Sequence, residues 1–219
     1  MKRLIINVII LQLIIPFVSM AKKSPVEAWN QGTLVLNNNE ILKGKLFYNI
    51  EHDLVQIMIN NQIKTFSPYN VQYFQFFDKD RGIKRLYAAL KDNTKKGKKR
   101  ERKGFAFFEV LVGTELVLLR KEEYYFIPEY EILYNAIDLV PSMASRHYIF
   151  INNNLFHFQD FKKDVFPLMA DQKTLVKEYI YNNKLNVEDF VDQILIIDFY
   201  NSLKNPYYKM LTSELILKE

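Results

Sequence analysis

The chain has 219 residues, 49% of them hydrophobic, with no cysteine and a formal charge of +5. That length holds one large domain or two small ones, and that apolar content builds a core, so general disorder is excluded. The lack of cysteine excludes disulfides, thiolate nucleophiles, zinc–thiolate centres and a lipid-modified cysteine.

Lys2 and Arg3 form a positive start, and Leu4 to Val18 is apolar except at Asn7, Gln12 and Pro16. Ser19-Met20-Ala21 then puts small residues where a signal peptidase reads them, so residues 1–21 are expected to be a cleaved signal peptide. The run falls short of the roughly 20 apolar residues that a membrane span needs; a retained N-terminal anchor is the alternative. Cleavage after Ala21 leaves 198 residues, and the loss of Lys2 and Arg3 lowers the charge to +3. The segment Lys91 to Lys103 alone holds eight bases against Asp92 and Glu101, a local +6, so the basicity belongs to one loop. Large proteins fold without disulfides, and an exported chain of this kind suits a bacterial envelope.

Residues 22–31 are a polar lead containing Pro25 and Trp29. A β-rich body is expected from 32 to 158, carrying the basic loop 91–104. Its strands are Thr33–Leu36, Ile41–Tyr48, Leu54–Ile59, Gln62–Phe66 and Val71–Phe77. Asn37-Asn38-Asn39 and Asn60-Asn61 mark turns between them. Apolar residues at every second position between such turns predict an antiparallel meander or small barrel-like sheet with one buried face. Beyond the basic loop a second sheet is expected: Phe105–Val112, Glu115–Arg120, Tyr124–Ile127, then a hairpin of His147–Ile151 and Leu155–Phe158 about Asn152-Asn153-Asn154. Pro128 and Pro141 punctuate residues 129–145, read as an excursion from the sheet.

Helical spacing takes over in residues 159–219. Helices are expected at Asp164–Ala170, Gln172–Asn182 and Val187–Leu203, with Asp171 and Asn186 as N-caps and Pro167 in a first turn. Pro206 ends the last helix. The fold class is therefore α+β: an antiparallel β-rich body with a C-terminal helical zone.

Catalytic signatures are missing from the sequence. There is no G-x-S-x-G, S-x-x-K or H-E-x-x-H, and six scattered glycines build neither a phosphate loop nor a dinucleotide fingerprint. No cofactor is expected. His52 adjoins Asp53 in a turn, where neighbouring side chains diverge. His147 and His157, on successive hairpin strands, are placed to face one another, with Asp160 as a third metal ligand, but their spacing matches no metal motif. Glu122-Glu123 and Glu129/Glu131 are candidates for a glycosidase pair, a role that needs a defined separation in a cleft. As exposed carboxylates they are more simply solvated.

The functional reading of the basic loop is contact with an anionic surface through Lys95, Lys96, Lys98, Lys99, Arg100, Arg102 and Lys103. Nucleic acid is disfavoured, because no aromatic interleaves the run before Phe105. The aromatic strands carry Tyr69, Tyr73, Phe74, Phe76, Phe77 and Phe105, Phe107, Phe108. Phe74 and Phe76 share one face, Tyr73 and Phe77 the other, so the strand is expected to be buried on both sides, under the helical zone or the second sheet. A ligand groove is the competing reading.

G-T-L-V-L with N-E-I-L-K-G-K-L-F-Y-N (Gly32 to Asn49), K-T-F-S-P-Y-N-V-Q-Y-F (Lys64 to Phe74), F-F-E-V-L-V-G (Phe107 to Gly113) and I-I-D-F-Y-N-S-L (Ile196 to Leu203) run through most of the mature chain. In these stretches it resembles signal-peptide-bearing exported proteins of Bacteroidota. The resemblance implies an exported envelope protein, periplasmic or secreted, and carries over no activity and no catalytic residue. The expected function is therefore non-enzymatic binding or assembly, with an envelope protein or glycan as partner. The alternatives are a carboxylate-dependent hydrolase and a carbohydrate- or lipid-binding domain. N-terminal sequencing of the protein recovered from its native cell is expected to begin at Lys22; an intact Met1 in the membrane fraction would make residues 4–18 an anchor.

Overall fold

In the computed structural model the described residues are 29–93, 104–131, 136–205 and 207. Short runs of alternating side chains separated by asparagine turns fold here as strands. They are β1 (Asn30–Leu36), β2 (Ile41–Asn49), β3 (Leu54–Ile59), β4 (Gln62–Phe66), β5 (Val71–Asp78), β6 (Ile83–Asp92), β7 (Gly104–Val112), β8 (Val117–Glu131), β9 (Ala136–Ile151) and β10 (Asn154–His157). Asn60 and Asn61 have φ of 50° and 61°, and Asn152 and Asn153 repeat those values. Two successive left-handed residues make the tight turn whose twist suits a hairpin, and asparagine tolerates that region better than most residues.

All ten strands belong to one antiparallel sheet in the order β10-β9-β8-β7-β6-β5-β1-β2-β3-β4. The described residues are thus mostly β, with a C-terminal helical region. The expected second sheet is part of the first, because β6 bonds β5 on one side and β7 on the other. β6 was absent from the sequence reading, and the basic segment begins inside it, at Lys91. Glu115–Arg120 and Tyr124–Ile127 merge into β8, and residues 136–145 continue β9 rather than leaving the sheet. Both edge strands are short, which limits unpaired backbone.

One face of the sheet, here called inner, carries two apolar clusters. Leu34, Leu46, Val55, Ile57, Phe74, Phe76, Tyr87 and Phe107 form the first, where β1–β7 curl together. The curl is pinned at β7: the Asp53 carboxylate accepts from the Phe107 N–H at 3.3 Å and from the Tyr48 hydroxyl at 2.7 Å. Tyr69, in the turn before β5, lies 5.5 Å from the Phe105 ring. The second cluster joins Leu111, Leu118 and Ile149 to the helical region through Phe161, Val165, Met169, Val176, Ile194 and Ile197.

A π-turn at Phe161–Val165 and a 3-10 segment at Phe166–Gln172 replace the first expected helix, and Pro167 occupies the first turn of the latter. Then come α1 (Lys173–Asn182) and α2 (Phe190–Lys204). Neither expected N-cap holds. Asp171 instead binds the Tyr200 hydroxyl at 3.0 Å and Lys204 Nζ at 2.8 Å. α2 is capped by Asp189, which accepts from the N–H groups of Val191 and Asp192, while Asn186 closes a turn onto the Glu188 N–H. The last helix ends at Lys204, before Pro206, as the sequence predicts.

Asn201 fastens α2 to the sheet. Its fully buried amide oxygen accepts from the N–H groups of Thr114, Glu115 and Leu116 at 3.1, 2.9 and 3.1 Å. Its amide nitrogen donates to the Leu116 and Ile197 carbonyls at 2.9 and 2.8 Å. The turn it holds needs Gly113, whose φ is +107° and whose missing Cβ would lie 2.0 Å from the Leu116 carbonyl oxygen. Asn201→Ala takes the acceptor from three backbone donors, the Leu116 N–H buried among them, and is expected to cost about 3–5 kcal/mol, on about 1 kcal/mol per bond plus desolvation. Urea denaturation measures it; a loss below about 1 kcal/mol would show that water replaces the amide.

Candidate functional site

Alternation along β6, β7 and β8 turns Arg85, Glu109, Arg120 and Glu122 to the inner face, between the two apolar clusters. The register sets Tyr87 opposite Glu109 and Glu109 opposite Arg120. Glu109 therefore lies between two guanidinium groups. Arg85 Nε and Nη2 donate to its two oxygens, both at 2.8 Å, and Arg120 Nε and Nη2 donate to Oε2 at 3.0 and 2.7 Å. Arg85 Nη2 also reaches Glu122 at 3.3 Å, and Arg85 Nη1 lies 3.6 Å from Asp78. The Arg85 guanidinium sits 5.2 Å over the Tyr87 ring.

Burial works to raise the Glu109 carboxyl, but the hydrogen bonds and charge of Arg85, then Arg120, outweigh it and hold the pKa below its ordinary 4.5. An ionised carboxylate held by four donated hydrogen bonds from two guanidinium groups is a poor general acid, and the same bonds lower its basicity. The Tyr87 hydroxyl is buried with no hydrogen-bond partner among the described residues, and burial pushes its pKa well up. This centre is built to hold strands in register. It brings no two carboxylates to a shared open cleft.

The other candidates separate. The His52 imidazole meets Asn49 Oδ1 at 3.2 Å, while Asp53 turns to Tyr48 and Phe107. His157 pairs with Tyr148 in the β9–β10 ladder, so it shares a face with Tyr148, and His147 takes the other face. The expectation that the two histidines face one another is thereby corrected. His147 packs 4.3 Å from the Phe190 ring, and His157 packs 5.3 Å from Tyr148. Burial, helped by Arg120 and His157, lowers the His147 pKa. Asp160 accepts from the Lys163 N–H at 3.1 Å and lies 2.8 Å from Lys163 Nζ. No group of three metal-ligating side chains occurs among the described residues. Glu122 joins the buried network, Glu123 lies 3.6 Å from Arg146, and Glu129 and Glu131 pair with Asp138 and Ala136 along β8–β9. Lys95, Lys96, Lys98, Lys99, Arg100, Arg102 and Lys103 lie outside the described residues.

The aromatic strand β5 departs from its expected double burial. Phe74 and Phe76 are inside, but Tyr73 and Phe77 are 37% and 51% exposed on the outer face. No helix among the described residues covers that side, because the helical region packs on the inner face. Three rows cross β2, β1, β5 and β6 there. Ile41, Val35, Tyr73 and Ala88 form the first, and Lys43, Thr33, Gln75 and Leu86 the second. In the third, Lys45 lies opposite Gln31, and Phe77 lies opposite Lys84. Lys43, Lys45 and Lys84 are exposed, and these rows contain no carboxylate. Past β6 this face becomes a third apolar cluster that includes Ala106, Phe108, Val110, Leu119, Tyr148 and Leu155.

Sequence reasoning passed over Lys43, Lys45, Lys84 and Arg85. The alternation of Ile83-Lys84-Arg85-Leu86-Tyr87 was the available signal, hidden because an arginine occupies an inward position.

A depressed carboxylate pKa stabilises the fold above the unfolded pKa, and that stability is lost as pH falls through the folded value. Wild-type stability is therefore expected to drop as pH falls below about 4.3. Glu109→Gln should cost about 3–5 kcal/mol at neutral pH by leaving two guanidinium groups against each other, and should flatten that acid limb. Denaturant titrations at a series of pH values check both; an unchanged acid limb in the variant would remove Glu109 from the account.

No family model, curated protein or solved structure matches this chain.

Proposed function

We propose that the protein is an exported envelope protein that acts by binding rather than catalysis, and that its partner is an acidic glycan lying across the outer face. The observation that carries this reading is the open side of β2, β1, β5 and β6. Tyr73 and Phe77 are four residues apart on one strand, roughly 13 Å, with Lys43, Lys45 and Lys84 around them. Two large aromatics exposed on one face of one strand, at a spacing that rings along one polymer can match, are explained by a partner that meets them both. Flat rings offer apolar area to the C–H face of a sugar ring at little entropic cost. Lysines without competing carboxylates favour an anionic polymer, and clustered charge of one sign raises its local concentration. The basic segment around Lys95–Lys103 adds charge of the same sign in the sequence.

Placement in the periplasm or outside the cell rests on the N-terminal signal pattern and on the resemblance to exported proteins. No described helix is long and apolar enough to cross a membrane. In this reading the curled, barrel-like β1–β7 body is the binding platform, and the helical region packs on the adjoining β7–β9 part of the sheet, giving an α+β molecule. The hydrolase alternative lacks a comparable feature, since Glu109 and Glu122 are both buried against Arg85.

Affinity chromatography on an immobilised polyuronate, with neutral dextran as control, tests the reading. Retention is expected on the polyuronate alone and should weaken with salt. The double variant Tyr73→Ala/Phe77→Ala should lose affinity by about tenfold, as two aromatic contacts of about 0.5–1.5 kcal/mol each imply. Because both side chains are exposed, the variant should keep the wild-type Tm. Equal retention of the variant, or equal retention on dextran, contradicts the proposal.

A further inference from the structure

β10 ends at His157, while β9 runs on past it, and the last bond between them is donated by the Phe158 N–H to the His147 carbonyl at 3.2 Å. Two residues earlier on β9, Ser145 turns its backbone N–H and C=O to the same side, where β10 has already stopped. The chain leaves β10 through Gln159, and the start of α2 comes in beneath. Between these elements is a groove of about 760 Å³, within the range of small-ligand sites. It wraps the edge of the sheet, so side chains from both faces reach it.

We propose that this groove binds a small carboxylate-bearing ligand of about monosaccharide size. Its lining includes one permanent cation, Arg146, and two imidazoles, His147 and His157, whose ring N–H groups are hydrogen-bond donors. Its one carboxylate, Glu188, is already held by Lys162 Nζ at 2.7 Å. Arg146 is 55% exposed and paired with Glu123 at 3.6 Å, too long for a hydrogen bond, so a ligand carboxylate that meets its planar fork two-pronged competes with a loose ion pair only. The His147 ring is wedged 4.3 Å from Phe190 and 6.1 Å from Phe158, which fixes its direction and supplies an apolar wall. The Gln193 side-chain nitrogen donates to the Val187 carbonyl at 2.9 Å, leaving its oxygen to accept from a ligand hydroxyl. A cationic fork, a fixed aromatic wall and an amide acceptor are the set that orients an acidic sugar or a similar ring acid.

The groove and the outer aromatic rows share no residue, so each proposal stands or falls alone. The test is a titration of the full mature chain, followed through the imidazole proton resonances of His147 and His157. The probes are glucuronate, glucose and inorganic phosphate. Glucuronate is expected to shift both histidines with a dissociation constant on the order of 1 mM, and glucose to shift neither. Arg146→Ala should weaken glucuronate binding about tenfold, the loss of one charge-assisted contact. Tyr73→Ala/Phe77→Ala should bind glucuronate as the wild type does. Glucuronate shifts that survive unchanged in Arg146→Ala overturn the proposal. So does an absence of shifts, or a response to phosphate as strong as that to glucuronate, which would mark a general anion patch.

Discussion

The contact on which the rest of this structure depends is the clamp of Arg85 and Arg120 on Glu109. A ten-stranded sheet whose inner face carried only apolar residues would have many near-equal registers, since one apolar pair can replace another. A carboxylate that takes four N–H donors from two strands has only one good register. Buried ion pairs are weak sources of net stability, because desolvation offsets most of their attraction. Breaking one is costly all the same, and a one-residue slip of β7 against β6 or β8 would break this one. The network thus acts on specificity of pairing more than on overall stability.

Two further devices extend that order outward. At one end the Asp53 carboxylate joins the β2–β3 turn to the backbone of β7, which closes the curl of the first seven strands around Phe74, Tyr87 and Phe107. At the other, the fully buried Asn201 holds the β7–β8 turn against α2 with four hydrogen bonds. The inner face is occupied throughout, first by the curled strands and then by helices. Its opposite side along β2, β1, β5 and β6 is consequently left to solvent, and that is where Tyr73 and Phe77 stand.

Much of this was legible in the residues. Paired asparagines named the hairpins at 60–61 and 152–153, because few other residues hold a positive φ twice in succession. The first five strands and the C-terminal change to helix followed from periodicity alone. β6 was hidden because its inward positions include Arg85, whose partners on β7 and β8 are distant in sequence and invisible to a local pattern. The N-caps failed for a similar reason: Asp171 is drawn to Tyr200 and Lys204, about thirty residues away. Double burial of β5 was inferred from aromatics on both of its faces. That inference treats any buried-looking strand as core, and it misses an aromatic face kept open. The groove beside His147 could not be read at all, since it depends on β10 stopping at His157 while β9 runs on past it.

The account's central claim is that the outer face of β2, β1, β5 and β6 is the working surface, on a sheet held rigid from within. Backbone hydrogen exchange, read peptide by peptide with and without a saturating polyuronate, tests this most directly. Protection is predicted to rise in the peptides that contain Lys43–Lys45, Tyr73–Phe77 and Lys84, with little change around Glu109 and Asn201, which are already protected in the free protein. Protection confined to other peptides, or a general change that includes the Glu109 and Asn201 regions, would contradict it.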